Sequence, residues 1–253
     1  VVTAVPAEPA QAAEWFAQLL ADNLTAGTGG TLTWLNHYTA LQSMRAGVPI
    51  DRFDYLGLDG LLLCRLVRTE CERTSADLLI PALLSRTSGL RIALIGSTAE
   101  TLRTVAEKIE GQNEHRVVLV RDGYDGLPEP TDLRRQLRVA RAQVVVVGLG
   151  APRQDFYVLD IAMPGMLVLT CGGWLDQFAG DRDYYPAWAY PLHLNWLVRL
   201  AREPKRLWRR YTVEAVRAVA ERSALTEYVT GLGGESLRAA GGASVHIADR
   251  PAA

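Results

Sequence analysis

The sequence predicts an α/β fold: a mostly parallel, Rossmann-like sheet flanked by helices, with a C-terminal basic amphipathic helical appendage. Val144 to Val147 and Met166 to Thr170 are short apolar runs bounded by glycine, the pattern of strands buried on both faces of a parallel sheet. Upstream of them, strand-like and helix-like segments alternate, as successive crossover units require.

Each element has its own signal. Trp15, Phe16, Leu19 and Leu20 recur at helical spacing, and the breaker run AGTGG ends that helix before Gly30. A strand follows near Leu32 to Leu35. The run RIALIGS, Arg91 to Ser97, predicts a second buried strand, then a helix from Thr98 to about Glu110, a strand over Arg116 to Val120 and a helix over Thr131 to Arg141. Near the C-terminus, Trp196, Leu197, Leu200, Leu207, Trp208 and Tyr211 form an apolar set interspersed with Arg199, Arg202, Lys205, Arg206, Arg209 and Arg210, and Pro204 divides the segment into two helices. Beyond about Arg222 the Ala- and Gly-rich ending reads as flexible. The expected organisation is an α/β core over 1–192, the appendage over 193–222 and a tail over 223–253.

Composition narrows the function classes. A chain of 253 residues, 49% of them hydrophobic, can bury one substantial core. Its net charge of -1 provides no global field for nucleic acid, so any basic function rests on local clustering. Cys64, Cys71 and Cys171 are an odd set without metal-ligand spacing, read here as buried thiols of a reducing cytoplasm rather than a disulfide framework or a zinc site. No basic segment followed by an apolar core opens the chain, and no apolar run approaches a bilayer-spanning length. Membrane contact is therefore expected to be peripheral.

The two strands that define the fold end in GLGAPRQD and CGGWLDQFAG, and in open α/β sheets the carboxyl ends of strands carry the binding loops. Gly172 and Gly173 let a phosphate or sugar approach the backbone, while Gln154, Asp155 and Asp176 supply hydrogen-bonding groups. Gln154 could equally close the first turn of a helix after Pro152, and Asp176 could bind backbone amides after Gly173. Gly96, Ser97 and Thr98 stand at a strand-to-helix junction suited to phosphate, a position that helix capping alone would also explain. GLGAPR lacks the third glycine of a dinucleotide fingerprint, because Arg153 occupies that place; this counts against a nucleotide-dependent oxidoreductase.

Three motifs in order give a more specific reading. PRQD at Pro152 to Asp155, GGWLDQFAG at Gly172 to Gly180 and NWLVRLAREPKRLWRRY at Asn195 to Tyr211 resemble the signatures of the WecG/TagA/CpsF glycosyltransferases, family 26, over roughly Thr33 to Tyr211. The resemblance implies an inverting transfer of a hexosyl unit from a UDP-sugar to a polyprenyl-diphosphate-linked saccharide, at the inner face of the cell membrane, without a metal or other cofactor. Self-association into a homo-oligomer stays open. On residue type alone Asp59 would be a helix cap. The strand-end Asp59-Gly60 dipeptide matches the family's proposed catalytic aspartate, which implies that Asp59 is the base, with Asp51 and Asp54 in reserve. Asn36 matches a strand-end asparagine that contacts sugar or acceptor, and the neighbouring His37 is read as a packing residue.

Asp181-Arg182-Asp183 has the spacing of a metal-binding acid pair but follows the GG motif in an expected surface loop. The diphosphate charge therefore falls to arginines, for which Arg199, Arg206, Arg209 and Arg210 are the candidates. Two positions depart from the family: Tyr184-Tyr185-Pro186 stands where Arg-Ala-Pro is common, and Asn195 where a glutamate is usual. These departures keep a third class in play, a non-catalytic nucleotide-sugar or membrane-surface binding module of the same fold.

Overall fold

The protein is known from a computed structural model, which describes residues 9–67, 74–180, 195–202, 204–230 and 245–247. In chain order the elements are α1 (Pro9–Thr25), β1 (Gly30–Leu35), α2 (His37–Ala46), β2 (Tyr55–Leu58), α3 (Leu61–Val67), α4 (Ala76–Arg86), β3 (Arg91–Gly96), α5 (Ala99–Glu110) and β4 (Arg116–Arg121). After them come α6 (Pro130–Val139), β5 (Val144–Gly148), α7 (Arg153–Ile161), β6 (Leu167–Thr170), α8 (Trp174–Ala179), α9 (Asn195–Arg202), α10 (Pro204–Tyr211), α11 (Val213–Ala220), α12 (Arg222–Thr230) and β7 (Val245–Ile247).

The strands form one seven-stranded sheet in the order β4-β3-β5-β6-β1-β2-β7. All pairings are parallel except that of β7, which runs antiparallel to β2 and covers that edge. Side chains alternate between the two faces, as a pleated strand requires. Ile92 and Leu94 of β3, Val144 and Val146 of β5, and Leu167 and Leu169 of β6 join a core with α1, α4, α5 and α8. Ala93, Ile95, Val145, Val147 and Val168 point the other way, into a core built with α2, α3, α6, α7, α11 and α12. Covering both faces is what makes these strands continuously apolar, and it is why they were readable as buried parallel strands.

Helix starts follow their local chemistry. Asn36 caps α2, its Oδ1 accepting from Tyr38 N and Thr39 N while Thr39 Oγ1 accepts from Asn36 N, a reciprocal capping box. Thr98 caps α5, which buries Leu102, Val105 and Ile109 along one stripe. Pro204 opens α10, where a missing N–H costs nothing.

Two expectations are corrected. The segment after residue 222 is not a tail throughout: α12 runs to Thr230, burying Leu225 and Val229, and β7 adds a strand. A sparse apolar pattern suffices there because α2 and α3 supply the other half of the packing. Cys64 is disulfide-bonded rather than a free thiol, while Cys171 is free and buried. Cys71 lies outside the described residues.

Candidate active site

The site lies at the carboxyl ends of the strands because of where the chain goes next. After β3 and β6 it passes to the face carrying α5 and α8; after β5 and β1 it passes to the opposite face, carrying α7 and α2. Neighbouring strands in the order β3-β5-β6-β1 therefore send their connections to alternate sides, which leaves a crevice between them. A cleft of about 670 Å³ occupies it, lined by residues that follow β1, β2, β3, β4, β5 and β6 and by residues of α10 and α11. That volume is in the range of small-molecule sites.

Backbone forms its floor. A Cβ on Gly96 would sit 2.2 Å from the Gly148 carbonyl oxygen, so backbone bars a side chain there, while one on Gly148 would sit 2.8 Å from Leu175 Cδ1 and would have to displace it. Gly96 accordingly contributes a close approach of β3 to β5 and does not itself line the cleft. Its neighbour Ser97 does, held in the left-handed region at φ 52. Ser97 Oγ donates to Asp176 Oδ1, joining the end of β3 to the first turn of α8. Asp176 is exposed to the cleft, beside Gly172 and Gly173, and its second carboxylate oxygen has no protein hydrogen bond among the described residues.

The PRQD segment splits by direction. Gln154 is only 3% exposed yet lines the cleft; its Oε1 accepts from Gly150 N at 3.2 Å, closing the turn, while Nε2 has no hydrogen bond among the described residues. Asp155 turns away. At 1% exposure it accepts from Thr33 Oγ1 at 2.7 Å and Ser43 Oγ at 2.9 Å, so it ties α7 to β1 and α2 instead of offering an oxygen to a ligand. Burial raises its pKa, and the two hydroxyl bonds act against that rise. One helical step separates Asp155 from Gln154 and sends their side chains in different directions. Arg153, exposed on the first residue of α7, also lines the cleft; its basic place in PRQD was visible in the sequence but had not been assigned to the site.

Asp59 and Asn36 meet here from adjacent strands. Asp59 follows β2, with its N–H on the Leu35 carbonyl at 2.7 Å, and both Asp59 and Asn36 line the cleft. The Gly60 carbonyl accepts from Cys64 N, so Gly60 holds the cap position of α3 and Asp59 stands one residue before it. Gly60 itself does not line the cleft. Asn36 spends its carbonyl oxygen on the α2 cap, and its Nδ2 has no hydrogen bond among the described residues. The reserve acids are excluded by position. Asp54 accepts from Thr31 N and Thr31 Oγ1, both at 2.8 Å, at the amino end of the strands, and Asp51 is exposed in the preceding turn.

The C-terminal helices close the other wall. His37, at the start of α2 and 6% exposed, donates from Nε2 to the Arg210 carbonyl at 3.1 Å and packs against the Tyr211 ring, so it anchors α10 rather than facing the cleft. Its pKa is lowered, chiefly by burial, with the Arg210 carbonyl bond and the Asp59 charge opposing. Arg210 lies over the Tyr38 ring at 4.8 Å and, with Arg209, lines the cleft. Glu214, 5% exposed at the start of α11, accepts from Arg217 Nη1 at 2.9 Å and lies 3.9 Å from Arg209 Nε. The side chains of Arg199 and Arg206 lie outside the described residues, as do Asp181-Arg182-Asp183 and Tyr184-Tyr185-Pro186.

Gathered together, the lining offers the carboxylates of Asp59, Asp77, Asp176 and Glu214 against the guanidinium groups of Arg153, Arg209 and Arg210. Positive charge is thus concentrated on α7 and α10, and Asp59 follows the strand next to the one that ends just before Asn36. Such a set can accept a proton, hold hydroxyls and balance a diphosphate. Cys171, though it lines the cleft, is no nucleophile, because full burial pushes its thiol pKa far up. Tyr38, Gln42, Ser75, Asp77 and Tyr124 also line the site; no short motif marks them, and only the fold brings them in. Among the described residues no group of three or more His, Cys, Asp or Glu side chains is placed to hold a metal ion, and no helix is long and apolar enough to cross a membrane. Compared with known protein families, residues 5–229 match the Glycosyl transferase WecG/TagA/CpsF family.

Proposed function

Since the chain belongs to the WecG/TagA/CpsF glycosyltransferase family, which implies a glycosyltransferase of cell-surface polymer synthesis, we propose that it moves a hexosyl unit from a UDP-sugar to a polyprenyl-diphosphate-linked saccharide with inversion. One observation carries this reading: an acid, Asp59, and the arginines of α10 line a single cleft at the carboxyl end of the sheet. Asp59 takes the proton of the acceptor hydroxyl as that oxygen attacks the anomeric carbon. The bond from that carbon to the diphosphate oxygen breaks on the opposite side, and UDP leaves with the electron pair. Arg209 and Arg210, with Arg199 and Arg206 as further candidates, balance the charge that develops on the diphosphate. Asp176, fixed through one oxygen by Ser97, orients donor hydroxyls with the other. Asn36 and Gln154 offer amide N–H groups to sugar or acceptor oxygens.

The same helices support docking at the inner membrane face. Leu197, Trp208, Val216 and Val219 are exposed on α9, α10 and α11, beside Lys205 and Arg217. Apolar side chains among cations suit the headgroup zone of an anionic bilayer, where the lipid carrier also resides.

The deciding experiment is Asp59→Asn, assayed with radiolabelled UDP-sugars on short-chain polyprenyl-diphosphate saccharides. Turnover should fall by about 10²- to 10⁴-fold, the usual worth of a general base, with the thermal transition preserved. Undiminished transfer in a folded variant removes Asp59 from the mechanism. Absence of any transfer by the wild-type chain, with UDP still bound, would favour a non-catalytic nucleotide-sugar binding module.

A further inference from the structure

Trp34, near the end of β1, is 7% exposed and lines the cleft. Its only polar side-chain atom is used inside the protein: Nε1 donates to the Thr74 carbonyl at 2.6 Å, just before Ser75, Ala76 and Asp77, which line the same cleft. Across the sheet its register partner on β2 is Gly57, and a Cβ there would sit 2.6 Å from Trp34 Nε1. Glycine thus leaves the space in which the indole crosses β2 toward the start of α4. A ring fixed in this way has no N–H to spare, and what it offers a ligand is a flat apolar surface.

The pleat says what lies beyond that surface. Side chains two apart on a strand share a face, so Asn36 follows Trp34 and Asp59 follows Gly57 on the same side, about 6.6 Å further along. Pairing continues to that level, since Asp59 N donates to the Leu35 carbonyl at 2.7 Å. An apolar shelf therefore lies one pleat repeat below the proposed base and the Asn36 amide. A pyranose ring has the matching division, with C–H bonds on its faces and hydroxyls around its rim. We infer that Trp34 is the shelf on which a substrate pyranose lies, its C–H face on the indole and its rim turned toward Asn36 and Asp59. The inference rests on the glycosyltransferase reading above and adds a residue that selects the sugar. A hydroxyl or acylamino group directed at the indole would be buried without a partner, so the shelf favours a hexose with hydrogens on that face. Donor and acceptor both bring a pyranose to Asp59, and the test tells which of them Trp34 holds.

The test uses the full chain as wild type, Trp34→Phe and Trp34→Leu, with a panel of UDP-hexoses and UDP-N-acetylhexosamines as donors, a short-chain polyprenyl-diphosphate saccharide as acceptor, and UDP alone as the probe without a sugar. Trp34→Leu should raise KM for one of the two sugar substrates about 3- to 10-fold and leave the affinity for UDP unchanged, whereas Trp34→Phe, which keeps a flat face, should stay within about twofold. The substrate whose KM rises is the one that lies on the indole. A second measurement does not depend on Trp34→Leu folding: in wild type labelled with 5-fluorotryptophan, the Trp34 resonance, assigned by its loss in Trp34→Phe, should shift with that sugar substrate and not with UDP. Unchanged KM for both substrates in a folded Trp34→Leu, an equal loss of affinity for UDP, or a Trp34 resonance that neither sugar substrate moves overturns the shelf alone. A wild-type chain that transfers no sugar from the panel overturns the UDP-sugar reading and the shelf with it.

Discussion

Asp155 owes its place to three hydroxyls. Thr33 gives its only hydroxyl hydrogen to Asp155 Oδ1, so in its 3.1 Å contact with Thr170 it is Thr170 that donates, while Ser43 satisfies Oδ2. Every donor in this buried chain has an acceptor, which is the condition for such a network to stabilise rather than weaken a core. Asp155→Ala would leave two buried hydroxyls without their acceptor and a hole between α7 and β1. It should cost about 3 kcal/mol and lower the thermal midpoint by about 6–12 °C, measured by calorimetry. An unchanged midpoint would mean that water replaces the carboxylate. The same residue shows where sequence reasoning reaches its limit. Gln154 and Asp155 look equivalent in a motif, and only the direction of each side chain from α7 separates a cleft residue from a core one. Asp176 was raised by the glycine-bounded strand end before it and Asn36 by the family resemblance alone, and both line the cleft. Arg153 was passed over because it was weighed as a failed glycine and not as a cation.

At the scale of elements, the junction of α2 with α10 decides whether the arginines face the cleft. α2 begins with the capping box of Asn36 and Thr39, which fixes His37 at its first position, and His37 holds the Arg210 carbonyl. The groups facing the imidazole are Arg210 and Tyr211 of α10 and Asp59 after β2. Burial depresses the folded pKa of His37 below the ordinary 6.5. A form in which α10 has undocked therefore binds a proton first. Docking is fully stable above the ordinary value and weakens as pH falls through it toward the folded pKa. Protection of α10 amides, taken relative to the intrinsic exchange rate at each pH, should fall between pH 7.5 and pH 5.5, and His37→Gln, which can still donate to the carbonyl but does not titrate, should flatten that dependence. Equal pH profiles in both chains would remove His37 from the anchor. The break at Pro204 was readable from the ring chemistry of proline. By contrast, α11 and α12 were not, since Ala218, Leu225 and Val229 form a core face only when α2 and α3 are there to receive them.

For the whole molecule, alternation of strands and helices announced a parallel sheet, and the β3, β4, β5 and β6 segments fell near their expected positions. The order of strands did not follow from the sequence. β1, first in the chain, lies between β6 and β2, and this insertion brings Asn36 and Asp59 beside the glycine loops of β5 and β6. That placement is a matter of long-range pairing, which no local pattern encodes. The C-terminal helices are also less separable than an appendage suggests, because Ala218, Leu225 and Val229 are part of the main core. Deleting the chain from Asn195 would expose that core along with the cations, so membrane contact is better tested by charge. Lys205→Gln and Arg222→Gln, both at exposed positions, should each reduce binding to phosphatidylserine vesicles about fivefold in sedimentation, with no change on neutral vesicles. Binding that is indifferent to both substitutions would separate these helices from the bilayer.

The floor of the cleft has an evolutionary meaning. At Gly148 the lining of the cleft is bare backbone, held against β3 where Gly96 leaves no room for a side chain. Inheritance can edit only the walls: the aromatic ring after β4, the arginine opening α7, the aspartate of α8 and the arms of α10. In a lineage built on this scaffold, side-chain changes reach the rim of the cleft more readily than the backbone under it. Anyone redirecting the enzyme toward a new donor inherits the same division between what is negotiable and what is not.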